Sequence, residues 1–252
     1  MILGELQTEK EILEIFINNW NDNDETALPP LFHGTDSSLV DLSQAKRKQL
    51  NEACEIIIHD LLKLYKSNSI SLTDKRLVDC RDSYGRSSHA YYYAQARANN
   101  SSRYSYGDFY VTNSPARAIY YSLEAWIFGE TGWVANRLVE GSKALGLDLP
   151  NNGVFQQAYA LFEMRKQRMK NPEVLIVVNG NATELYTEDG DSFKEFDQEE
   201  LASEIHHLKN ASSITDSYRL GIQLMDESSE IYSVSKDHYS ELLKAWERRK
   251  ER

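Results

Sequence analysis

A run of five apolar residues, Val174–Val178, constrains the fold of this 252-residue chain more than any other segment. An unbroken apolar run of this length, closed by the Asn179-Gly180-Asn181 turn, is typical of a buried strand. Residues 183–187 are predicted to pair with it as a hairpin. The chain must therefore contain a sheet with at least one strand in its interior.

The segments before this strand are mostly helical, and strands are concentrated after residue 172. Apolar periodicity and capping residues predict helices at 6–20, 43–67, 114–128, 133–145, 154–170, 197–208 and after Asp237. Further strands are predicted at 31–33, 109–112, 218–225 and 231–234. This order predicts an α+β fold. We predict a single domain, residues 1–252, with helical elaboration at 1–70 and a long loop at 68–106.

Composition limits the class of protein. Hydrophobic residues make up 41% of the chain and aromatic residues 11%, which is typical of a folded globular protein. A formal net charge of −11 argues against a surface that binds nucleic acid throughout. The two cysteines, Cys54 and Cys80, lack the spacing of a disulfide framework or a zinc site. Because no signal peptide and no membrane-length apolar run is visible, we expect a cytoplasmic protein without membrane contact.

One segment, Lys75–Tyr106, is basic within this acidic chain. It holds six basic residues against two acidic ones, and its tyrosines include Tyr84, Tyr91, Tyr92, Tyr93 and Tyr104. Arginine charge combined with tyrosine stacking could grip single-stranded nucleic acid. The alternative is a solvated surface loop whose arginines form ion pairs with the acidic remainder of the chain.

Three short segments follow one another in a fixed order along the chain. His33-Gly34-Thr35 ends a predicted strand, Tyr110 in a second strand is followed eleven residues later by Tyr121, and Glu230 opens a late strand. Each segment also has a plain structural interpretation. The histidine could end a strand before a turn, the tyrosines could pack in the core, and the glutamate could be a solvated acid.

In this order the segments resemble the His–Tyr–Glu signature of ADP-ribosyltransferases. The resemblance is to the diphtheria-toxin and poly(ADP-ribose) polymerase branch, which cleaves NAD+ at its nicotinamide bond, and it covers residues 31–35, 106–122 and 230–235. It implies a split, mostly antiparallel sheet that encloses an NAD+ cleft, with NAD+ as co-substrate and no metal. Thr35 stands where the polymerase branch frequently has a serine.

The resemblance also implies a role for each residue. His33 would bond the ribose next to adenine, and the Gly34 backbone would pair with the nicotinamide carboxamide, since glycine lets the main chain approach a flat ring. Tyr110 and Tyr121 would stack on the cationic nicotinamide ring, a contact of about 1–2 kcal/mol when desolvated. Glu230 would bond the adjacent 2′-hydroxyl and stabilise the oxocarbenium-like ribose. The candidate catalytic residues are therefore Glu230, Tyr110 and His33.

The basic segment acquires a further interpretation from this resemblance. Relatives place loops that cover the donor or contact the acceptor at this point, so Arg86 and Arg103 could pair with the NAD+ pyrophosphate. The acceptor would be a protein or single-stranded nucleic acid. Ser228 stands where arginine-modifying relatives carry a second acid or a glutamine, which disfavours arginine as the modified residue.

Many compact bacterial members of this superfamily act as toxins against phage or host. The resemblance therefore implies a toxin in bacterial or antiviral defence, with a neutralising antitoxin as a partner. Two alternatives remain open. An NAD+ glycohydrolase would use the same site with water as acceptor, and a non-catalytic binding module would carry these residues by coincidence. The common nucleotide and metal motifs GxxxxGK[ST], GxGxxG and HExxH do not occur in the chain.

Overall fold

The computed structural model describes residues 2–20, 27–40, 44–82, 85–99, 109–123, 129–178, 182, 185–187, 191–210, 219–222 and 230–249. The chain divides into two compact units. The sheet unit is formed by Met1–Val40, Asp108–Leu123 and Asn171–Arg252, and the helical unit by Asp41–Gly107 and Glu124–Lys170. Helices of the second unit close an apolar core of their own.

The described part of the chain contains the following elements. The strands are β1 (Ile2–Glu5), β2 (Leu31–Asp36), β3 (Arg81–Asp82), β4 (Gly85–Arg86), β5 (Phe109–Thr112), β6 (Pro172–Val178), β7 (Leu185–Tyr186), β8 (Arg219–Ile222) and β9 (Glu230–Ser235). The helices are α1 (Glu9–Asn19), α2 (Ser37–Val40), α3 (Gln44–Ser67), α4 (Lys75–Asp79), α5 (Ser87–Ala98), α6 (Pro115–Leu123), α7 (Gly129–Leu145), α8 (Gly153–Arg168), α9 (Gln198–Asn210) and α10 (Tyr239–Arg248). This composition confirms the predicted α+β class.

Seven strands form one sheet in the order β1-β9-β6-β2-β5-β8-β7. β1 runs parallel to β9, and the other neighbouring strands of this sheet are antiparallel. The prediction of a buried strand at Val174–Val178 is confirmed, since all five residues are buried in β6. The predicted hairpin with residues 183–187 is wrong, because β2 and β9 already flank β6. β7 pairs with β8 instead.

The pairing register defines two faces of this sheet. Ile176 pairs with Phe32 and Tyr232, whereas the preceding residue, Leu175, pairs with His33. Side chains alternate along a strand, so these two rows of residues lie on opposite faces. The face that carries Phe32, Ile176 and Tyr232 is here called the α6 face, and the other is called the His33 face.

Different elements cover the two faces. On the α6 face, residues of β2, β6 and β9 share one apolar cluster with α1, α6 and α10. Within it, Phe16 of α1, Phe32 of β2 and Trp246 of α10 meet edge to face, with ring centroids 5.1–5.9 Å apart. On the His33 face, Val177 packs in a second cluster with Leu208 of α9. Both clusters exclude water from the centre of the sheet.

The helical unit is built from α3, α4, α5, α7 and α8 around one apolar core, together with the β3–β4 hairpin. The predicted helix at 43–67 is confirmed as α3. Tyr65 and Tyr91 meet edge to face inside this core, with ring centroids 4.9 Å apart. The Tyr65 hydroxyl donates to the backbone oxygen of Leu138 at 2.8 Å, which satisfies its buried polar atom.

The predicted long loop at 68–106 is wrong where the structure has the helices α4 and α5. Tyr91 of α5 is buried and Tyr93 packs against Trp133, so of these three consecutive tyrosines Tyr92 alone is exposed, at 58%. Apolar periodicity is weak in this segment because α5 buries small residues as well as a tyrosine. They are Ser87, Ser88, Ala90 and Ala94.

Candidate functional site

The three segments predicted from the sequence lie in one sheet. His33, Gly34 and Thr35 belong to β2, Tyr110 belongs to β5, and Glu230 is the first residue of β9. β2 lies between β5 and β6, and β9 follows on the other side of β6. Residues that are far apart in sequence are thus within two strands of β2.

The structure does not bring the side chains of His33 and Glu230 to the same face. Glu230 pairs with Val178 and lies on the α6 face with Gly34, whereas His33 and Thr35 lie on the His33 face. The strand β6 separates the two residues within the sheet. The alternation of side chains along each strand is the physical reason. Because His33 and Glu230 lie on opposite faces, a single ligand can contact both only if it passes around the edge of a strand from one face to the other.

Gly34 is a point of very close approach between β2 and α6. A Cβ atom at this position would overlap the carbonyl oxygen of Ala118 and lie 2.8 Å from the backbone nitrogen of Ser122. Any other residue would therefore push α6 away from the sheet. This packing requires glycine independently of any ligand, and it leaves the main chain of β2 without a side chain at this position on the α6 face.

Glu230 is half-buried, and a neighbouring side chain holds its carboxylate. The Tyr232 hydroxyl donates a hydrogen bond to Glu230 Oε2 at 3.0 Å. Burial, followed by the hydrogen bond to Glu230, raises the pKa of Tyr232 above its ordinary value of 10.0. Tyr232 therefore keeps its proton at neutral pH and acts as the donor to this carboxylate.

The helix α6 carries Tyr121, and its position is fixed on two sides. Tyr121 is half-buried, with the Arg117 guanidinium 5.9 Å from its ring centroid. The next residue, Ser122, shares a buried 2.7 Å hydrogen bond with the Tyr239 hydroxyl of α10. Contact with Gly34 on one side and with Tyr239 on another sets where the Tyr121 ring can project.

The remaining predicted site residues are placed less fully. The backbone of Tyr110 pairs with Gly221 of β8, and its side chain lies outside the described atoms. Arg103 lies outside the described residues. Arg86 belongs to the helical unit, where it is exposed and pairs with Arg81 across the β3–β4 hairpin.

Fewer residue pairs join β2 to β5 than to β6 in the described strands. Six residue pairs join β2 to β6, whereas within the described strands Phe32–Thr112 is the one pair that joins β2 to β5. Within the described residues, no ladder pair joins the β2 edge beyond Phe32 to β5. Strand edges of this kind offer backbone N–H and C=O groups for recognition of another molecule.

Three residues that shape this site were not predicted from the sequence, namely Tyr232, Ser122 and Tyr239. The signal for Tyr232 was present, since a residue two positions after Glu230 in a strand shares its face. Ser122 and Tyr239 gave no such signal, because their contact depends on the tertiary packing of α6 against α10.

Metal binding, membrane-spanning helices and similarity to known proteins each bear on the interpretation of this site. No cluster of three or more His, Cys, Asp or Glu residues there could hold a metal ion. No helix in the described ranges is long and apolar enough to cross a membrane. Comparison of the chain with protein-family models, with curated proteins and with solved structures finds no match. Assignment of function therefore depends on the residues and their geometry.

Proposed function

We propose that this protein transfers ADP-ribose from NAD+ to a macromolecular acceptor, with the reacting end of NAD+ on the α6 face of the sheet. The bond between ribose C1′ and the nicotinamide nitrogen breaks, and its electron pair leaves with neutral nicotinamide. A lone pair of the acceptor nucleophile forms the new bond to C1′, and the proton of that nucleophile passes to solvent. NAD+ is consumed as a co-substrate.

The observation that carries this proposal is that Gly34, α6 and Glu230 share one face of the sheet. Because α6 itself fills the space over Gly34, the nicotinamide in the proposed site lies against the Tyr121 ring, at the margin of the contact between α6 and β2. Glu230 then accepts a hydrogen bond from the 2′-hydroxyl of the attached ribose. Positive charge develops at C1′ as nicotinamide leaves, so this carboxylate acts most strongly in the transition state.

The opposite placement of His33 changes how the donor is proposed to bind. The reacting half of NAD+ occupies the α6 face, and the pyrophosphate passes the edge of β2 beyond Phe32, where no described pair joins β2 to β5. The adenine-side ribose then reaches His33 and Thr35 on the His33 face. The single described pair between β2 and β5 supports this path and an ADP-ribosyltransferase-like sheet.

A toxin role accompanies this proposal through the family resemblance alone. Expression of the wild-type chain in bacteria is expected to arrest growth, whereas Glu230→Gln restores growth at equal protein level. Growth arrest by both proteins would show that toxicity does not depend on the proposed reaction.

The direct test of the transfer reaction uses NAD+ labelled in its adenine. The wild-type protein is incubated with this NAD+ and a cell lysate, and the macromolecular fraction is then treated with protease or with nuclease. Label released by protease identifies a protein acceptor, and label released by nuclease identifies a nucleic-acid acceptor. Glu5→Gln is the matched control, since Glu5 is an exposed acid at the end of β1, next to β9, and labelling should be unchanged.

Two results would contradict the transfer reaction. Free labelled ADP-ribose without a labelled macromolecule would favour the NAD+ glycohydrolase, in which water takes the place of the acceptor. Intact NAD+ together with no heat of NAD+ binding in calorimetry would favour the non-catalytic module.

A further inference from the structure

We propose that Tyr232 is a positioning residue that sets which oxygen of Glu230 faces the ribose, an inference that rests on the proposed function. Tyr232 itself touches neither ribose nor nicotinamide in this proposal. It acts through the hydrogen bond that its hydroxyl donates to Glu230 Oε2 at 3.0 Å. The role assigned to it is therefore the orientation of the carboxylate.

The backbone of β9 fixes the distance between the two side chains. Glu230 and Tyr232 are two residues apart in one strand, so both lie on the α6 face. β9 is an interior strand with β1 on one side and β6 on the other. The strand is paired along both edges at Tyr232, with Gly4 on one side and Ile176 on the other. The hydroxyl is thus presented to the carboxylate by a rigid element.

The ring of Tyr232 is held as well as its backbone. It packs, half-buried, against the apolar cluster of the α6 face that contains Ile176 and Val234. A tyrosine ring has few rotatable bonds, so packing of the ring also fixes the direction of its hydroxyl. The Glu230 side chain has more rotatable bonds than the tyrosine, and it gains a defined orientation from this partner.

In the proposed site, the two carboxylate oxygens of Glu230 accept hydrogen bonds from different donors. Oε2 accepts from Tyr232, which leaves Oε1 to accept from the ribose 2′-hydroxyl. A carboxylate held in this way needs little reorganisation when charge develops on the ribose. Without the tyrosine hydroxyl, Glu230 would sample several orientations, and only some of them would present an oxygen to the substrate.

The test compares Tyr232→Phe with wild type in steady-state NAD+ cleavage. The variant keeps the ring and its packing and removes only the hydroxyl. We expect kcat to fall about tenfold, the order that one hydrogen bond to a charged group contributes, with the KM for NAD+ unchanged. Calorimetric NAD+ affinity and the thermal melting midpoint should also match wild type.

A matched control and a double variant separate positioning from folding. Tyr159→Phe in the helical unit removes the hydroxyl of a half-buried tyrosine whose pKa is also raised, first by burial and then by neighbouring Glu163. Its kcat should equal that of wild type. In the Glu230→Gln background, Tyr232→Phe should add no further loss, because its effect passes through the carboxylate.

The outcomes distinguish this inference from the function on which it rests. An active wild type with unchanged kcat in Tyr232→Phe overturns the inference alone. A further loss in the double variant also overturns it, since Tyr232 would then act independently of the carboxylate. A fall in kcat matched by a lower melting midpoint overturns it too, since that result indicates a purely structural role. A wild-type protein that leaves NAD+ intact overturns the proposed function and this inference together.

Discussion

One tyrosine of the helical unit and one of the sheet unit use their hydroxyls in different ways. In the helical unit, the hydroxyl of buried Tyr65 donates to the backbone oxygen of Leu138, so its polar atom is consumed by the fold. In the sheet unit, half-buried Tyr232 donates to the carboxylate of Glu230. The first arrangement stabilises a core, whereas the second orients an acid that keeps access to solvent. A tyrosine therefore indicates chemistry only when its partner is itself a candidate reacting group.

The two units also differ in the sequence distance that their contacts span. Helices of the helical unit carry their own apolar periodicity, so much of that unit is visible in local sequence. The site in the sheet unit depends on β2, β6 and β9, which come from distant parts of the chain. We therefore expect substitutions at the contacts of the sheet unit to affect both stability and activity. Substitutions in the helical unit should affect stability alone.

The largest expected effect on stability is that of Gly34→Ala. The added Cβ would overlap the backbone of Ala118 in α6, so α6 must move from the sheet, and the free energy of unfolding should fall by about 3 kcal/mol. NAD+ cleavage should fall as well, since Tyr121 moves with α6. Chemical denaturation and nicotinamide release measure the two effects. Gly4→Ala is the control, because nothing lies within 4 Å of a Cβ at Gly4.

Retention of full stability in Gly34→Ala would show that α6 does not lie against β2 as described. Full stability with lost activity would instead assign Gly34 to the ligand alone.

A smaller effect is expected from Gly141→Ala in α7 of the helical unit. A Cβ there would lie 2.5 Å from the Tyr65 hydroxyl and 2.9 Å from Leu77 Cδ2, so the buried bond to Leu138 must shift. Overpacking should lower the free energy of unfolding by about 1–3 kcal/mol. The higher helix propensity of alanine should restore about 1 kcal/mol of it. We expect a net loss of about 1 kcal/mol in chemical denaturation and an unchanged kcat for NAD+. A lowered kcat in this variant would contradict the expectation that substitutions in the helical unit affect stability alone.

The matched control for that substitution is Gly153→Ala in α8, where nothing lies within 4 Å of the added Cβ. It should leave the free energy of unfolding unchanged or raise it slightly.

The features of the fold that could be predicted are those that depend on residues close together in the sequence. The helix at 43–67 and the buried strand at Val174–Val178 were predictable, since periodicity and an apolar run mark them. The faces of His33 and Glu230 were not, because the register of β2 and β9 against β6 exists only after folding. β1 was missed, since its four residues adjoin a helical pattern and its pairing with β9 is not local.

The smallest expected effects are those of the helix caps, one in each unit. Thr8 forms a capping box with Glu11 at the start of α1, and Asn152 accepts from the Phe155 backbone at the start of α8. Replacement of either cap by alanine should lower the free energy of unfolding by about 1 kcal/mol, because a helix N–H loses its partner. Urea denaturation measures both, with nicotinamide release as the second readout. A change in kcat for Asn152→Ala but not for Thr8→Ala would contradict the expectation that substitutions affect activity in the sheet unit and not in the helical unit.

The role of the Glu230 carboxylate in NAD+ cleavage is tested directly by the rate of nicotinamide release. This rate is compared between Glu230→Gln and wild type. Glutamine keeps the shape of the side chain and removes the negative charge that the proposed site directs at the ribose. We expect the rate of Glu230→Gln to be lower by roughly 10²–10³-fold, with NAD+ affinity close to that of wild type. Nicotinamide release at the wild-type rate in this variant would contradict the assignment of the reaction to the α6 face of the sheet.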